Sequence, residues 1–234
     1  MKLLLFTFFL LFSEVVIGQA NQVEYEITAP DHLTKAELIF NDSFSRFVVL
    51  HDDVAAPGED GLFWIDKTES RVYTSERFMN VNFQIIDSLH PMNWNLIKDT
   101  AIILNEKCLA AETFFRGRKY IAYYAPRYNS SDGPWKFGGL PGLILSVKSS
   151  DNALQWQAVK IIENYSGIVK PPKATNKQYL LWDDFVIKYK ATVSKYFKLV
   201  RSNGTISNGT ALKIKMNSVE IFYPELQTGQ GIKF

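Results

Sequence analysis

The sequence has one cysteine, three histidines and no apolar run of membrane-spanning length after its first twenty residues, and each shortage excludes something. With Cys108 alone, no intramolecular disulfide can form even in an oxidising compartment. Its neighbours Lys107, Leu109, Ala110 and Ala111 include no histidine, so it reads as a small buried apolar residue rather than a nucleophile. It also lies far from the N-terminal region where a lipoprotein anchor would require it. His32, His51 and His90 form no HExxH pair and no zinc-spaced cluster. His51-Asp52-Asp53 is the one constellation resembling a metal or base site. Successive strand residues point to opposite faces, so it reads as a solvated acidic turn. Nucleophile-elbow, P-loop and dinucleotide-binding signatures are missing, and no metal or cofactor is expected. A net charge of +2 without a basic cluster gives no electrostatic reason to expect nucleic acid.

What the chain does have is apolar mass. Of its 234 residues 47% are apolar, including 5 Trp, 11 Tyr and 17 Phe, which excludes a wholly disordered chain. The first residues carry an address. Lys2 precedes the apolar run Leu3 to Phe12, and small residues suited to cleavage follow at Gly18 and Ala20. Ser13 and Glu14 interrupt the run before it could span a bilayer. The organisation expected is a signal peptide over 1–18 and one β-rich domain over 19–234. The mature chain would start at Gln19 or Asn21, be soluble in the periplasm or outside the cell, and lack a transmembrane segment.

Period-two alternation dominates the rest. It predicts strands at Val23 to Ile27, Lys35 to Phe40, Arg46 to Leu50, Gly61 to Ile65, Ser70 to Thr74 and Phe78 to Ile86. Further strands are predicted at Trp94 to Ile97, Ala101 to Leu104, Cys108 to Phe115, Lys119 to Ala125, Leu143 to Lys148 and Leu154 to Ile162. About ten to twelve strands with short connections suggest an antiparallel meander curved into a half-barrel. From Trp182 the apolar residues Phe185, Val186, Tyr189, Val193, Tyr196, Phe197 and Val200 follow at helical spacing. One long helix packed on the sheet is therefore expected, capped by Thr175 and Gln178 and ending at Asn203-Gly204. The fold class is mostly β, of the β-rich α+β kind.

The least regular stretch is Gly133-Pro134-Trp135-Lys136-Phe137-Gly138-Gly139-Leu140-Pro141-Gly142-Leu143-Ile144-Leu145. Four glycines and two prolines among large apolar residues rule out a continuous helix or strand. Pro141-Gly142 predicts a type II turn with Gly142 at positive φ. The apolar flanks predict a loop packed into the core, with Arg116, Arg118 or Lys136 satisfying some of its backbone groups.

This run resembles the signature of the GLPGLI family, secreted proteins found mainly in Bacteroidetes-type bacteria. Trp94-Asn95-Leu96, Cys108 with Ala110-Ala111, Phe115-Arg116-Gly117-Arg118-Lys119-Tyr120 and Tyr124-Ala125-Pro126 resemble its other segments, so the likeness covers roughly Trp94 to Val147. Ala125 replaces the family's usual threonine, and Arg127 to Ser131 replaces its IP-containing segment. The resemblance implies an exported protein and marks Arg116, Arg118, Tyr124, Gly133, Pro134, Trp135, Phe137, Gly138, Gly139, Leu140, Pro141, Gly142, Leu143 and Ile144 as the motif positions. It implies no reaction.

Three readings of function stay open at this point. A curved sheet with a helix on one face would create an apolar concavity for a lipid or peptide, as in carriers and chaperones. Alternatively, an envelope hydrolase would place Arg116, Arg118 and Lys136 as anion partners and Glu112 or Asp132 as base on the 133–142 loop. A structural role beside an outer-membrane transporter, or another envelope protein, is the third expectation.

Overall fold

In a computed structural model the chain is described over residues 20–29, 32–51, 54–55, 61–88, 92–167, 169, 178–203, 220 and 222–223. The predicted signal peptide, His90, Asp52-Asp53, Thr175 and the last residues lie outside these. The strands are β1 (Ala20–Ala29), β2 (His32–Phe40), β3 (Phe44–His51), β4 (Val54–Ala55), β5 (Leu62–Asp66), β6 (Arg71–Phe78) and β7 (Val81–Ser88) in the first half. In the second half come β8 (Asn95–Ile103), β9 (Glu106–Phe115), β10 (Arg118–Ala125), β11 (Leu143–Ser149), β12 (Gln155–Tyr165) and β13 (Leu180–Leu181), followed by α1 (Trp182–Ser202).

All strands join one open, curved sheet in the order β13-β7-β6-β5-β3-β2-β1-β12-β11-β10-β9-β8, with β4 paired beside β3. The mostly-β class and the single late helix are as the pattern indicates. Two antiparallel meanders, β1 to β7 and β8 to β12, meet where β1 pairs with β12. The two-residue β13 adds a parallel partner to β7, so the meander is not antiparallel throughout.

Topology alone demands the curvature. Ten interstrand spacings separate β7 from β8, which would put them about 48 Å apart in a flat sheet. The chain passes from Ser88 to Asn95 in seven residues, a reach of at most about 25 Å. The sheet must therefore curl until its two ends approach each other.

Three local expectations are corrected. The run Phe78 to Ile86 is a hairpin rather than one strand: Phe78 pairs with Val81 across Met79-Asn80, and Met79 has φ +55°. Apolar parity continues through that turn and hides it. Conversely, Trp94 to Ile97 and Ala101 to Leu104 belong to a single strand, β8, interrupted by a bulge between Ile97 and Thr100. Lys98 and Asp99 occupy the bulge and break the alternation. Finally, α1 starts at Trp182 with Leu181 as an uncapped N-cap, so Gln178 is too early to complete a capping box. Asp183 and Asp184 occupy the first turn, and Asn203 is the C-cap.

Phe185, Tyr189 and Val193 form the buried stripe of α1 and pack on Phe83, Ile85, Phe222 and Tyr223. The main core lies inside the curl, built from β1, β2, β9 to β12 and the glycine-rich loop. Cys108 is buried there and donates its thiol to the Glu106 carbonyl at 3.5 Å. Burial pushes its thiol pKa up, with the reactive thiolate disfavoured.

Candidate functional site

The loop between β10 and β11 fills the concavity with its own side chains. Trp135 is 4% exposed and Phe137 and Leu140 are buried beside it. The Trp135 ring stacks on Trp156 at 6.3 Å and meets Phe137 at 5.1 Å, while Phe137 meets Tyr120 at 4.8 Å. Trp135 also reaches Phe63 on β5 at 6.4 Å and Phe115 on β9 at 5.8 Å. One side chain thus touches both meanders. It does so from φ +55°, a costly conformation for a bulky residue that the surrounding packing enforces.

The loop's backbone groups are satisfied locally, as burial requires. Phe137 N–H donates to the Pro134 carbonyl (3.0 Å), Gly139 N–H to Ser131 (2.8 Å) and Ile144 N–H to Asp132 (2.9 Å). The Trp94 indole N–H donates to the Gly138 carbonyl at 2.9 Å, and the Tyr25 hydroxyl donates to the Ile144 carbonyl at 2.6 Å. Burial, with Asp132 nearby, pushes the Tyr25 hydroxyl well above its ordinary pKa. The Pro141-Gly142 turn is not type II. Gly142 N–H bonds back to Leu140 (2.9 Å), a three-residue turn centred on Pro141. Gly142 does have positive φ, +152°, and a Cβ there would stand 2.5 Å from the Ala125 carbonyl oxygen. Close backbone approach, rather than turn type, requires the glycine.

Two charged clusters flank the loop. Asp132 accepts from the Ser45 hydroxyl, from Lys67 Nζ at 2.6 Å and from Ser130 Oγ at 2.8 Å. On the other side Lys136, 3% exposed, donates to Asp87 at 3.1 Å and Glu220 at 2.7 Å. Arg116 grips both oxygens of Asp87 at 2.7 Å and also pairs with Glu220. The Trp182 ring of α1 receives the Arg116 guanidinium at 3.4 Å and the Lys136 ammonium at 4.5 Å. Arg116 and Gly117 both have positive φ, forming the two-residue hairpin that joins β9 to β10. Charges from β7, the β9–β10 hairpin, the loop and residue 220 thus meet beneath the first turn of α1.

The expected site residues therefore divide. Trp135, Phe137, Leu140, Leu143 and Ile144 are core, and Tyr124 is buried with them; Gly133, Pro134 and Gly142 are also buried, while Gly138, Gly139 and Pro141 reach the surface. Arg118 faces Asp151 at 3.5 Å, and Glu112 pairs with Lys119 at 2.7 Å on the neighbouring strand. Ser45, Lys67, Asp87 and Glu220 were not among the expected residues, because only tertiary contact reveals them. Among the described residues no group of His, Cys, Asp and Glu is placed to hold a metal ion.

The expected apolar concavity is consequently occupied, and open space remains at its rim. A cleft of about 390 Å³ is bounded by Ile65, Met92, Phe137, Gly138, Gly139 and Lys136. A second, more polar cleft of about 480 Å³ lies between the Asn41-Asp42 turn and residues 126–132. Lys67, Ser131 and Asp132 border both. Such volumes suit a small ligand or part of a chain.

The fold has relatives among solved structures. It is similar to PNGF-II, at a TM-score of 0.55 with 15% identity in one crystal form and 0.52 with 16% in another. In both, 76% of this chain matches 33% of that one, so it spans about a third of the length of PNGF-II. A MucA/MucB complex from Pseudomonas aeruginosa aligns over 66% of this chain and 53% of that one at a TM-score of 0.35 and 9% identity, too low to carry an argument. No family model and no curated protein matches the sequence. The likeness to PNGF-II establishes a shared β-rich architecture. No helix among the described residues is long and apolar enough to cross a membrane.

Proposed function

We propose that the chain is an exported, non-enzymatic binding module of the cell envelope, holding an apolar ligand or peptide at the rim of the glycine-rich loop. Its membership of the GLPGLI family and its work beside an envelope or outer-membrane protein belong to the same proposal. The signal-like N-terminus supports export. The observation that carries the binding reading is the 390 Å³ cleft, with Ile65, Met92 and Phe137 as apolar walls and a few polar groups at its border. Apolar walls with few fixed polar groups are the usual make-up of a ligand site. The loop beside it is pinned at both ends, so the cleft is preformed. The hydrolase alternative is weaker on geometry. Glu112 is engaged by Lys119, and Asp132 already accepts three hydrogen bonds, which leaves neither placed to take a proton from a substrate.

The test uses N-phenyl-1-naphthylamine, an apolar dye that brightens on leaving water. The mature protein should bind one dye molecule, and Ser131→Trp, an exposed position bordering both clefts, should abolish binding without changing the melting temperature. Absence of dye binding, or equal binding by the variant, would refute the site.

A further inference from the structure

We infer that the two rim clefts act as one groove for a peptide segment without acidic groups, with one large apolar side chain in the apolar half and the backbone in the polar half. This rests on the binding reading above and adds the class of ligand.

The clefts share Lys67, Ser131 and Asp132, so a ligand filling one abuts the other. At that shared border Lys67 and Asp132 neutralise each other at 2.6 Å. The polar half is also lined by Asp42 and Arg127, and Arg127 is held by Glu106 at 2.8 Å and Glu163 at 3.4 Å. Lys67 is thus engaged by Asp132, Arg127 by two glutamates and Lys136 by Asp87 and Glu220, so among the described residues no cation of the rim is left over for a phosphate headgroup or an acidic side chain. What remains is hydrogen-bonding capacity of amide type.

The donors have fixed directions. Asn41 Oδ1 accepts the Ser43 and Phe44 N–H groups at 2.9 and 2.8 Å, and Asn21 Oδ1 accepts Asn164 N–H at 3.3 Å. Each carboxamide is thereby held by its oxygen, and its Nδ2 has no partner among the described residues. Two preset N–H₂ donors along a groove match the repeated carbonyls of an extended peptide. The Ser131 hydroxyl and the Asn129 side chain, also without described partners, add groups that both donate and accept. In the apolar half, Met92 supplies a conformationally adaptable wall suited to side chains of differing shape.

The experiment loads the mature protein with N-phenyl-1-naphthylamine and displaces it with three probes. These are the capped pentapeptide acetyl-Gly-Ser-Phe-Asn-Gly-amide, the same peptide with serine in place of phenylalanine, and dodecyl maltoside. The phenylalanine peptide should displace the dye at a concentration about tenfold or more below the serine peptide, the difference expected for burying one aromatic side chain. It should also shift the side-chain amide NMR signals of Asn21 and Asn41. Asn129→Ala, at an exposed position, should weaken the peptide by about three- to tenfold through lost hydrogen bonds while leaving the melting temperature unchanged. Displacement by dodecyl maltoside but by neither peptide would overturn the peptide assignment and leave the binding reading intact. Failure of the dye itself to bind would remove both. Equal potency of the two peptides, or unchanged Asn21 and Asn41 signals, would also overturn the inference.

Discussion

The two apolar centres of the molecule are built on different terms. The centre inside the curl draws on both meanders and is closed by one aromatic loop, whose polar backbone finds its partners within a few residues or on adjoining strands. The centre under α1 is smaller, and it joins the rest of the protein through Asp87, Arg116, Lys136, Glu220 and Trp182. The first is a packing solution in which shape decides. The second is attached through charges that must all be matched, because a buried ion deprived of its partner is costly. Losing a ring from the first should unravel the whole fold, whereas damage to the second should first release the helix.

The largest effect should come from Trp135→Ala. Removing a ring that contacts both meanders should cost about 3–5 kcal/mol, part of it offset because alanine lessens crowding at φ +55°. The readout is an equilibrium urea melt. Phe185→Ala, in the other centre, should cost a similar amount, yet hydrogen exchange should quicken in α1 and leave β10 to β12 protected. Equal quickening in both places would show that the two centres are one cooperative unit.

Gly142→Val should follow at about 2–4 kcal/mol, combining a positive φ with the 2.5 Å approach to Ala125. Next, Asp87→Leu should cost about 3 kcal/mol or somewhat less, because Arg116 and Lys136 would share Glu220 alone. The loss should be smaller when Lys136→Met is made in the same chain, since the unmatched charge is then removed. A double-mutant cycle measured by thermal melts reads this coupling.

Alkali gives a gentler probe. Burial raises the pKa of Tyr25 and Tyr120 in the main core and of Tyr189 under the helix. A raised folded pKa means that the stability is fully present below the unfolded value near 10 and is lost as pH climbs above it. Each such tyrosine should therefore remove about 1.4 kcal/mol per pH unit above about pH 10. Tyr25→Phe should flatten that slope, at the cost of the hydrogen bond to Ile144. An unchanged slope would mean that Tyr25 ionises freely in the folded protein.

How much of this could be read from the sequence follows from the range of each interaction. Alternation placed nearly every strand, and the helical spacing from Trp182 identified the buried stripe of α1. The Met79-Asn80 hairpin escaped because apolar parity runs on through it, and the Lys98-Asp99 bulge made one strand look like two. The burial of the glycine-rich loop was legible from prolines and glycines set among aromatic residues. That its rings would occupy the space assigned to a ligand was not, since composition cannot tell a plug from a lining. The Asp87–Arg116–Lys136–Glu220 cluster joins residues as far as 133 positions apart, and no local pattern marks such a meeting.

Whether the loop is a fixed plug or a movable lid is the question on which the binding site depends. Hydrogen exchange of the amides of Phe137, Gly139 and Gly142, followed residue by residue by NMR in the unliganded protein, answers it directly. The expected result is protection comparable to that of β11, because all three N–H groups are hydrogen-bonded and the loop can open only when the core does. Exchange of these amides within seconds, while β11 stays protected, would contradict the plug and restore the concavity as the ligand chamber.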